Sequence, residues 1–325
     1  LANIVTIMAI DLYNGTMFTY KAFLDSLFGI GNGFVMAIVV SGVLPIFESL
    51  FKITTDIKLL ELLDLNQPLM RNLLVTAPGT YHHSIIVGNL SEAAAEAIGV
   101  NPLLARVSSY YHDVGKIKMP EYFIENQGLV NRHDKLTPSM SSLILTSHVK
   151  EGTELAKGEN LPEVIIDIMR QHHGTSLITY FYQKAKDIWE PSMTPIYEDD
   201  YRYPGPKPQT KVAAIVMLAD AVEAASRVLE EPTPARISAL VDKIVTNIFV
   251  DGQLNECDLT LKDLDKITEN FNLILSGIFH HRIDYPGLGI PLYDTNKKSA
   301  SEDQDKPAED EKDNKADIKG IDLSL

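Results

Sequence analysis

The chain has 325 residues and a net charge of −15 at neutral pH, with 29 Lys and Arg against 44 Asp and Glu. That balance excludes a protein that grips a DNA or RNA backbone, but not one that takes a small anionic nucleotide, because a bound metal reverses the local field. A lone cysteine, Cys257, excludes an internal disulfide framework and a cysteine-rich zinc module, and suits a reducing compartment.

Leu1 to Ile10 carries no charge and reads as the end of a preceding membrane span. With Leu rather than Met at its start, the chain is expected to be a piece of a longer protein, and a cleaved signal peptide fits poorly because no basic segment precedes the apolar one. Leu27 to Phe47 is a run of 21 residues without a charge. At about 1.5 Å per helical residue it crosses a hydrocarbon core of roughly 30 Å, and Gly29, Gly31, Gly33 and Pro45 are tolerated in such helices. Lys52 and Lys58 follow the run and Lys21 precedes it, which favours a cytoplasmic location for what comes after.

Thr54 to Leu74 reads as a connecting helix. It has an apolar face of Leu59, Leu60, Leu62, Leu63 and Leu65, and Pro68 breaks or kinks it. From Pro78 onward the pattern is helical almost throughout. A helix capped by Thr80 ends near Gly99, and a second runs from Pro102 to Asp113. A third opens at Thr137-Pro138 and closes at Gly158, and a fourth runs from Leu161 to His173 and closes at Gly174. Three more follow, at Thr210 to Leu229, Pro234 to Phe249 and Leu261 to Ile283. Glu121 to Leu136 and the proline- and aromatic-rich Glu190 to Gln209 read as loops. No sustained strand signal occurs, so the expected fold class is all-α.

The expected organisation is the end of a transmembrane domain at 1–51, a connecting helix at 52–75, a helical domain at 76–292 and a charged tail at 293–325. The tail holds too little apolar surface to offset its ordering entropy and is expected to be disordered.

Chemistry concentrates around Tyr110-Tyr111-His112-Asp113-Val114-Gly115-Lys116. Further histidines stand at His82-His83, His148 and His172-His173, and Asp220 lies inside the apolar run AAIVMLADAVEAA. Imidazole and carboxylate suit Zn, Fe, Mn or Ni. A carboxylate inside an apolar helix needs a partner or a metal, because burying it bare costs several kcal/mol. His172-His173 ends a helix, where neighbouring side chains escape the roughly 100° separation of helical neighbours and can converge. Together these ligands exceed what one ion needs, so two ions sharing a bridging carboxylate become plausible, an arrangement suited to in-line displacement at phosphorus. His82 is the alternative to His83. His133-Asp134, in a loop, reads as structural, and His280-His281 as surface.

The ordered set His83, His112-Asp113, His148, His172-His173 and Asp220 resembles the HD-domain phosphohydrolase superfamily. The segments APGTYHHSIIVGNL, YYHDVGKIKMPEYFIENQ, HHGTSLITYFY and YRYPGPKPQTKVAAIVMLAD look like the seven-transmembrane HD-family cyclic di-AMP phosphodiesterases of bacteria, over about residues 27–290. The resemblance implies an HD-domain helical bundle behind the end of a helical membrane domain. It implies a first metal on His83, His112, Asp113 and Asp220, and a second on Asp113 as a bridge with His148, His172 and His173. Both would be divalent transition ions, iron or manganese.

The implied activity is that of a phosphoric diester hydrolase. A hydroxide bridging the ions would attack phosphorus and convert cyclic di-AMP to linear pApA. Lys116, three residues after Asp113, would contact phosphate or stabilise the attacking group, so Lys116 and Asp113 are the expected catalytic residues. Tyr81, Arg202 and Tyr203 are candidates for stacking on adenine, or are packing residues. The setting implied is a bacterial cell membrane crossed several times, with lipid around the N-terminal helices, the HD domain in the cytoplasm and a sensor domain upstream. No DNA or RNA partner is implied, and a homodimer is left open.

Three rival readings differ in one feature each. A cyclic di-GMP enzyme of the HD-GYP type would carry Gly-x-Gly-Tyr-Pro after its His pair, whereas His172-His173 is followed by GTSLITYFYQK. A one-metal nucleotidase or dNTP hydrolase would leave His148, His172 and His173 without a purpose. A non-catalytic nucleotide-binding receptor would be expected to have lost ligands, and none is missing.

Overall fold

Prolines and threonines place most of the helix starts. The computed structural model describes residues 2–15, 19–51, 53–128, 131–190 and 195–279. The charged tail, His280-His281 and the end of the last expected helix lie outside the described residues. Helix α1 spans Ala2–Tyr13 and α2 spans Tyr20–Phe51. The two pack on each other, and the described side chains of α2 are largely exposed. Among the described residues, α2 is the one helix long and apolar enough to cross a membrane by length and composition. It contains the whole of the expected 27–47 span.

The segment read as one connecting helix is two, α3 (Asp56–Leu62) and α4 (Pro68–Thr76), with Pro68 in the first turn of the second. Both are packed elements. Leu59, Leu62, Leu69, Met70 and Leu73 are buried against Val107, Tyr110 and Tyr111 and against Ile165, Ile166 and Met169. The bundle continues with α5 (Pro78–Ile98), α6 (Pro102–Tyr111), α7 (Pro138–Gly158), α8 (Glu163–Gln171), α9 (Thr179–Asp187), α10 (Lys211–Ser226), α11 (Pro234–Val250) and α12 (Leu261–Ile278). Short 3-10 turns connect α6 to α7, and the contact between Leu177 and Arg202 is an isolated bridge.

Pro68, Pro78, Pro102, Pro138 and Pro234 occupy the first helical turn, where a missing N–H costs nothing. Thr55, Asn101, Thr137, Thr210, Thr233 and Thr260 each accept a backbone N–H of the first turn. Thr80 does not cap α5 as expected. Asn126 reaches across from a loop, and its Oδ1 accepts Gly79 N at 2.9 Å and Thr80 N at 3.2 Å. The Thr80 hydroxyl is thereby free to donate to Glu125 Oε1 at 2.9 Å. Helix α9 escaped the sequence reading. Its Thr-Tyr-Phe-Tyr start has the residue types of a strand, and its buried face consists of Phe181 and Ala185 alone.

Helix α10 forms the centre. Val212 through Asp220 are all buried, along with Val222, Glu223, Ala225 and Ser226, so the helix is covered on every side by α5, α6, α8 and α11. Each fully buried Val, Leu or Ile there contributes roughly 1.5–3 kcal/mol. Those apolar walls hold Asp220 and Glu223 away from bulk water.

A second constraint lies where the turn after α6 meets α7. A Cβ on Gly115 would fall 1.9 Å from the carbonyl oxygen of His148 and 2.5 Å from the amide nitrogen of Gly152. Both are backbone atoms that cannot swing away. Gly115→Ala should therefore cost about 3 kcal/mol or more and lower the midpoint of thermal unfolding by several degrees. Gly277→Ala, with no atom within 4 Å of its Cβ in α12, should leave the midpoint unchanged or raise it slightly. Equal melting curves for the two variants would show that the backbones do not meet this closely.

Candidate metal centre

Two kinds of position supply the candidate ligands. His83, His148 and Asp220 project from within α5, α7 and α10. His112-Asp113 and His172-His173 sit where α6 and α8 end. Asp113 has φ −109° and ψ 12°, so the chain leaves helical geometry there and sends two consecutive side chains to the same place.

The imidazoles are aimed by a repeated contact. His112, His148 and His172 each donate Nδ1–H to the carbonyl three residues earlier, on Ser109 (2.6 Å), Leu145 (2.5 Å) and Met169 (2.6 Å). This fixes the tautomer and leaves each Nε2 lone pair facing inward. The Nε2 atoms of His148 and His172 then lie 3.3 Å apart. Two lone pairs that close repel unless a cation or proton lies between them.

The ligand atoms gather on Asp113. Its Oδ2 is 3.2 Å from His112 Nε2 and 3.5 Å from His83 Nε2, while its Oδ1 is 3.2 Å from His148 Nε2 and 3.7 Å from His172 Nε2. Asp220 Oδ1 lies 2.9 Å from His83 Nε2, and its Oδ2 lies 3.6 Å from His173 Nδ1. Two groups result, each with its ligand atoms within 4.8 Å of one another: His83, His112, Asp113, Asp220, and Asp113, His148, His172, His173. Asp113 belongs to both. His112 Nε2 and Asp113 Oδ1 are buried without a hydrogen bond. Orphaned polar atoms of that kind, on imidazole and carboxylate, fit divalent metal ions.

The electrostatics agree with that chemistry. Burial favours neutral Asp113 and Asp220, yet the surrounding histidines, with Lys116 beside Asp113, hold both carboxyls well below the usual range. Burial likewise works against charge on His83 and His112. Asp220 and Glu223 nonetheless raise His83 to about 8, and Asp113 and Asp220 raise His112 to about 10. Burial wins at His172 and His173, which are pushed down, His173 furthest with its neighbour His172 adding to the effect. The pocket with two Asp residues thus attracts positive charge, and His172 and His173 present neutral nitrogens, the form that binds metal.

Lys116 Nζ pairs with Asp113 Oδ2 at 2.7 Å and with Glu125 Oε1 at 2.9 Å, and lies 5.0 Å over the Phe123 ring. Tyr203 stacks on His173 with ring centroids 4.1 Å apart, so it edges the site. The other two stacking candidates have these contacts. Tyr81 packs on the cluster around Leu73 and Tyr111. The Arg202 guanidinium is held by Glu198, Asp251 and the Thr175 carbonyl. His82 is exposed and His83 buried. His133 is buried and donates Nε2–H to Tyr122 O at 2.8 Å, a structural contact.

Glu223, Glu125 and Phe123 went unnoticed in the sequence. Glu223 had a signal, being a second carboxylate one turn past Asp220 in the same apolar helix. Glu125 and Phe123 lie among 3-10 turns with no periodicity to mark them.

The family model described as "HD domain" matches residues 80–225, which contain all the candidate ligands, and "7TM receptor with intracellular HD hydrolase" matches residues 1–55. A helical bundle closing around these His and Asp residues defines an HD-domain protein, and the N-terminal match, together with apolar α2, points to a membrane location. The chain belongs to the HD-domain family. It is 50% identical over 261 residues to "Cyclic-di-AMP phosphodiesterase PgpH" of Bacillus subtilis (strain 168), covering 80% of this chain. It is 45% identical over 288 residues to the protein of the same name from Listeria monocytogenes, covering 88% of this chain. It spans 36% and 40% of the length of those two relatives. The solved L. monocytogenes PgpH HD domain superposes with a TM-score of 0.63 at 50% identity, over 66% of this chain and 100% of that one. The same domain solved in complex with cyclic-di-AMP also has a TM-score of 0.63.

The His172-His173 turn is braced from the far side. Gln253 Oε1 accepts Thr175 N at 2.9 Å, its Nε2 donates to Asp251 Oδ2 at 2.7 Å, and it is 1% exposed. Gln253→Ala strands the Thr175 amide. It should cost about 1–3 kcal/mol, read as a fall of several degrees in the unfolding midpoint. Gln183→Ala, exposed on α9, should stay within about 0.5 kcal/mol of the parent. A Gln253 variant as stable as the parent would show that the brace is not stabilising.

Proposed function

We propose that the chain is the catalytic end of a membrane-bound, two-metal phosphodiesterase that hydrolyses cyclic di-AMP to linear pApA. The observation that carries the reading is Asp113, one buried carboxylate with an oxygen toward each of two ligand groups. His83, His112, Asp113 and Asp220 would hold one ion, and Asp113, His148, His172 and His173 the other. The thiol-free set suits iron or manganese. Bound there, divalent ions supply Lewis acidity toward the phosphoryl oxygens and acidify the attacking water.

The chain's own groups do the rest. Lys116, anchored by Glu125, presents an ammonium beside Asp113, where it meets a phosphoryl oxygen. Burial works against its charge, but Asp113 and Glu125 prevail and raise its pKa, so it stays protonated. The Tyr203 ring, packed on His173, forms an aromatic wall at the mouth. No ligand carries a hydroxyl or thiol, so water is the nucleophile. The adenine dinucleotide is carried over from the relatives' names and from the solved complex.

Asp113→Ala should abolish uptake of both ions and reduce cyclic di-AMP hydrolysis by well over about 100-fold, beyond the usual cost of disturbing a ligand's support. His148→Ala should keep one ion. Elemental analysis and an assay on cyclic di-AMP and cyclic di-GMP side by side check this. An active, two-ion Asp113→Ala variant would refute the metal assignment, and faster cleavage of cyclic di-GMP would refute the substrate.

The HD domain would face the cytoplasm, as Lys52 and Lys58 after the apolar run, against Lys21 before it, favour. In oriented vesicles, protease should reach the domain only from the cytoplasmic side, and cleavage from the other side alone would reverse the topology.

A further inference from the structure

His83 is aimed differently from the other helix-borne imidazoles. Its Nδ1 lies 2.5 Å from Glu223 Oε2, where His112, His148 and His172 use a backbone carbonyl. Glu223 is 1% exposed and is held in turn by Arg227, with Nε at 2.8 and 2.9 Å from its two oxygens and Nη2 at 2.7 Å from Oε1. Asp220 and Glu223 stand one turn apart on α10, so the same helix face supplies a ligand and the group behind another ligand. A carboxylate accepting Nδ1–H fixes the His83 tautomer and turns its Nε2 lone pair into the pocket. It also places negative charge where a cation will sit.

The two pockets therefore differ in charge. Asp113 and Asp220 line the first with Glu223 behind it, partly offset by Arg227, whereas among the described residues Asp113 is the one carboxylate in the second group, with Asp220 Oδ2 3.6 Å from its His173. We infer that Glu223 is a positioning residue that locks His83 from behind and makes the pocket of His83, His112, Asp113 and Asp220 the first of the two to take a divalent ion. The inference rests on the two-metal reading above and adds an order of filling and the group that sets it.

The test is a titration of the metal-free full-length chain in detergent with Mn2+ at buffered free concentrations. Bound metal is counted per chain, and melting curves of the metal-free forms are recorded alongside. The parent should bind two ions in two steps, and His148→Ala should retain the tighter one. Glu223→Gln keeps the size and the acceptor but loses the charge. It should weaken the tighter step about 10-fold, and Glu223→Ala about 100-fold, with the weaker step unchanged and the metal-free Glu223→Gln melting as the parent does.

Unchanged tight binding in both variants overturns the inference. So does equal weakening of both steps together with a lowered melting point of the metal-free Glu223→Gln chain, which would make Glu223 a fold residue only. A parent chain that saturates at one ion overturns the two-metal reading itself, a result obtained before any Glu223 variant is compared.

Discussion

A carboxylate sealed from water must be neutralised by positive charge. Asp113 is that group, fully buried, with Lys116 Nζ 2.7 Å from Oδ2 and no hydrogen bond on Oδ1. Leaving such a charge uncompensated costs several kcal/mol, yet the fold surrounds it with four imidazoles and one ammonium. Five elements have to converge for that to happen. The surrounding helices are held in place by apolar packing, chiefly on α10, whose burial on every side keeps the dielectric low where the charges meet.

Convergence depends on how the helices end. Consecutive residues within a helix point about 100° apart, so His112 and Asp113 can act together only because α6 stops between them and the next turn. That turn can lie against α7 because Gly115 has no side chain to strike the His148 carbonyl. The same close approach brings His148 to Asp113. Four of the imidazoles are then oriented by a hydrogen bond on the far nitrogen, three times to a carbonyl and once to Glu223, so their Nε2 atoms face inward.

Much of this was legible in the residues. Prolines and threonines at helix starts marked most of the boundaries, and His and Asp set against apolar periodicity marked the residues that the structure brings together. What the sequence hid has physical reasons. Thr80 resembles a cap, but Asn126, far away in the chain, took the cap's N–H groups. Helix α9 is short and strand-like in composition. The 52–75 stretch was readable as a connector because the elements it packs on, α5, α6 and the turn after α6, all come later in the chain. Arg202 had the chemistry of a stacking residue, but Glu198 and Asp251 hold it. Glu223 and Glu125 act on His83 and Lys116 through contacts that no local pattern announces.

Two short, packed helices, α3 and α4, follow α2 in the chain, and α3 packs on α6, the helix that ends at His112-Asp113. The central claim, however, concerns Asp113 and its two ligand groups. Anomalous diffraction from crystals of the manganese-loaded chain measures it directly. The account predicts two peaks about 3.5–4 Å apart, one on each oxygen of Asp113. A single peak at saturating metal, or a second peak not touching Asp113, would contradict it.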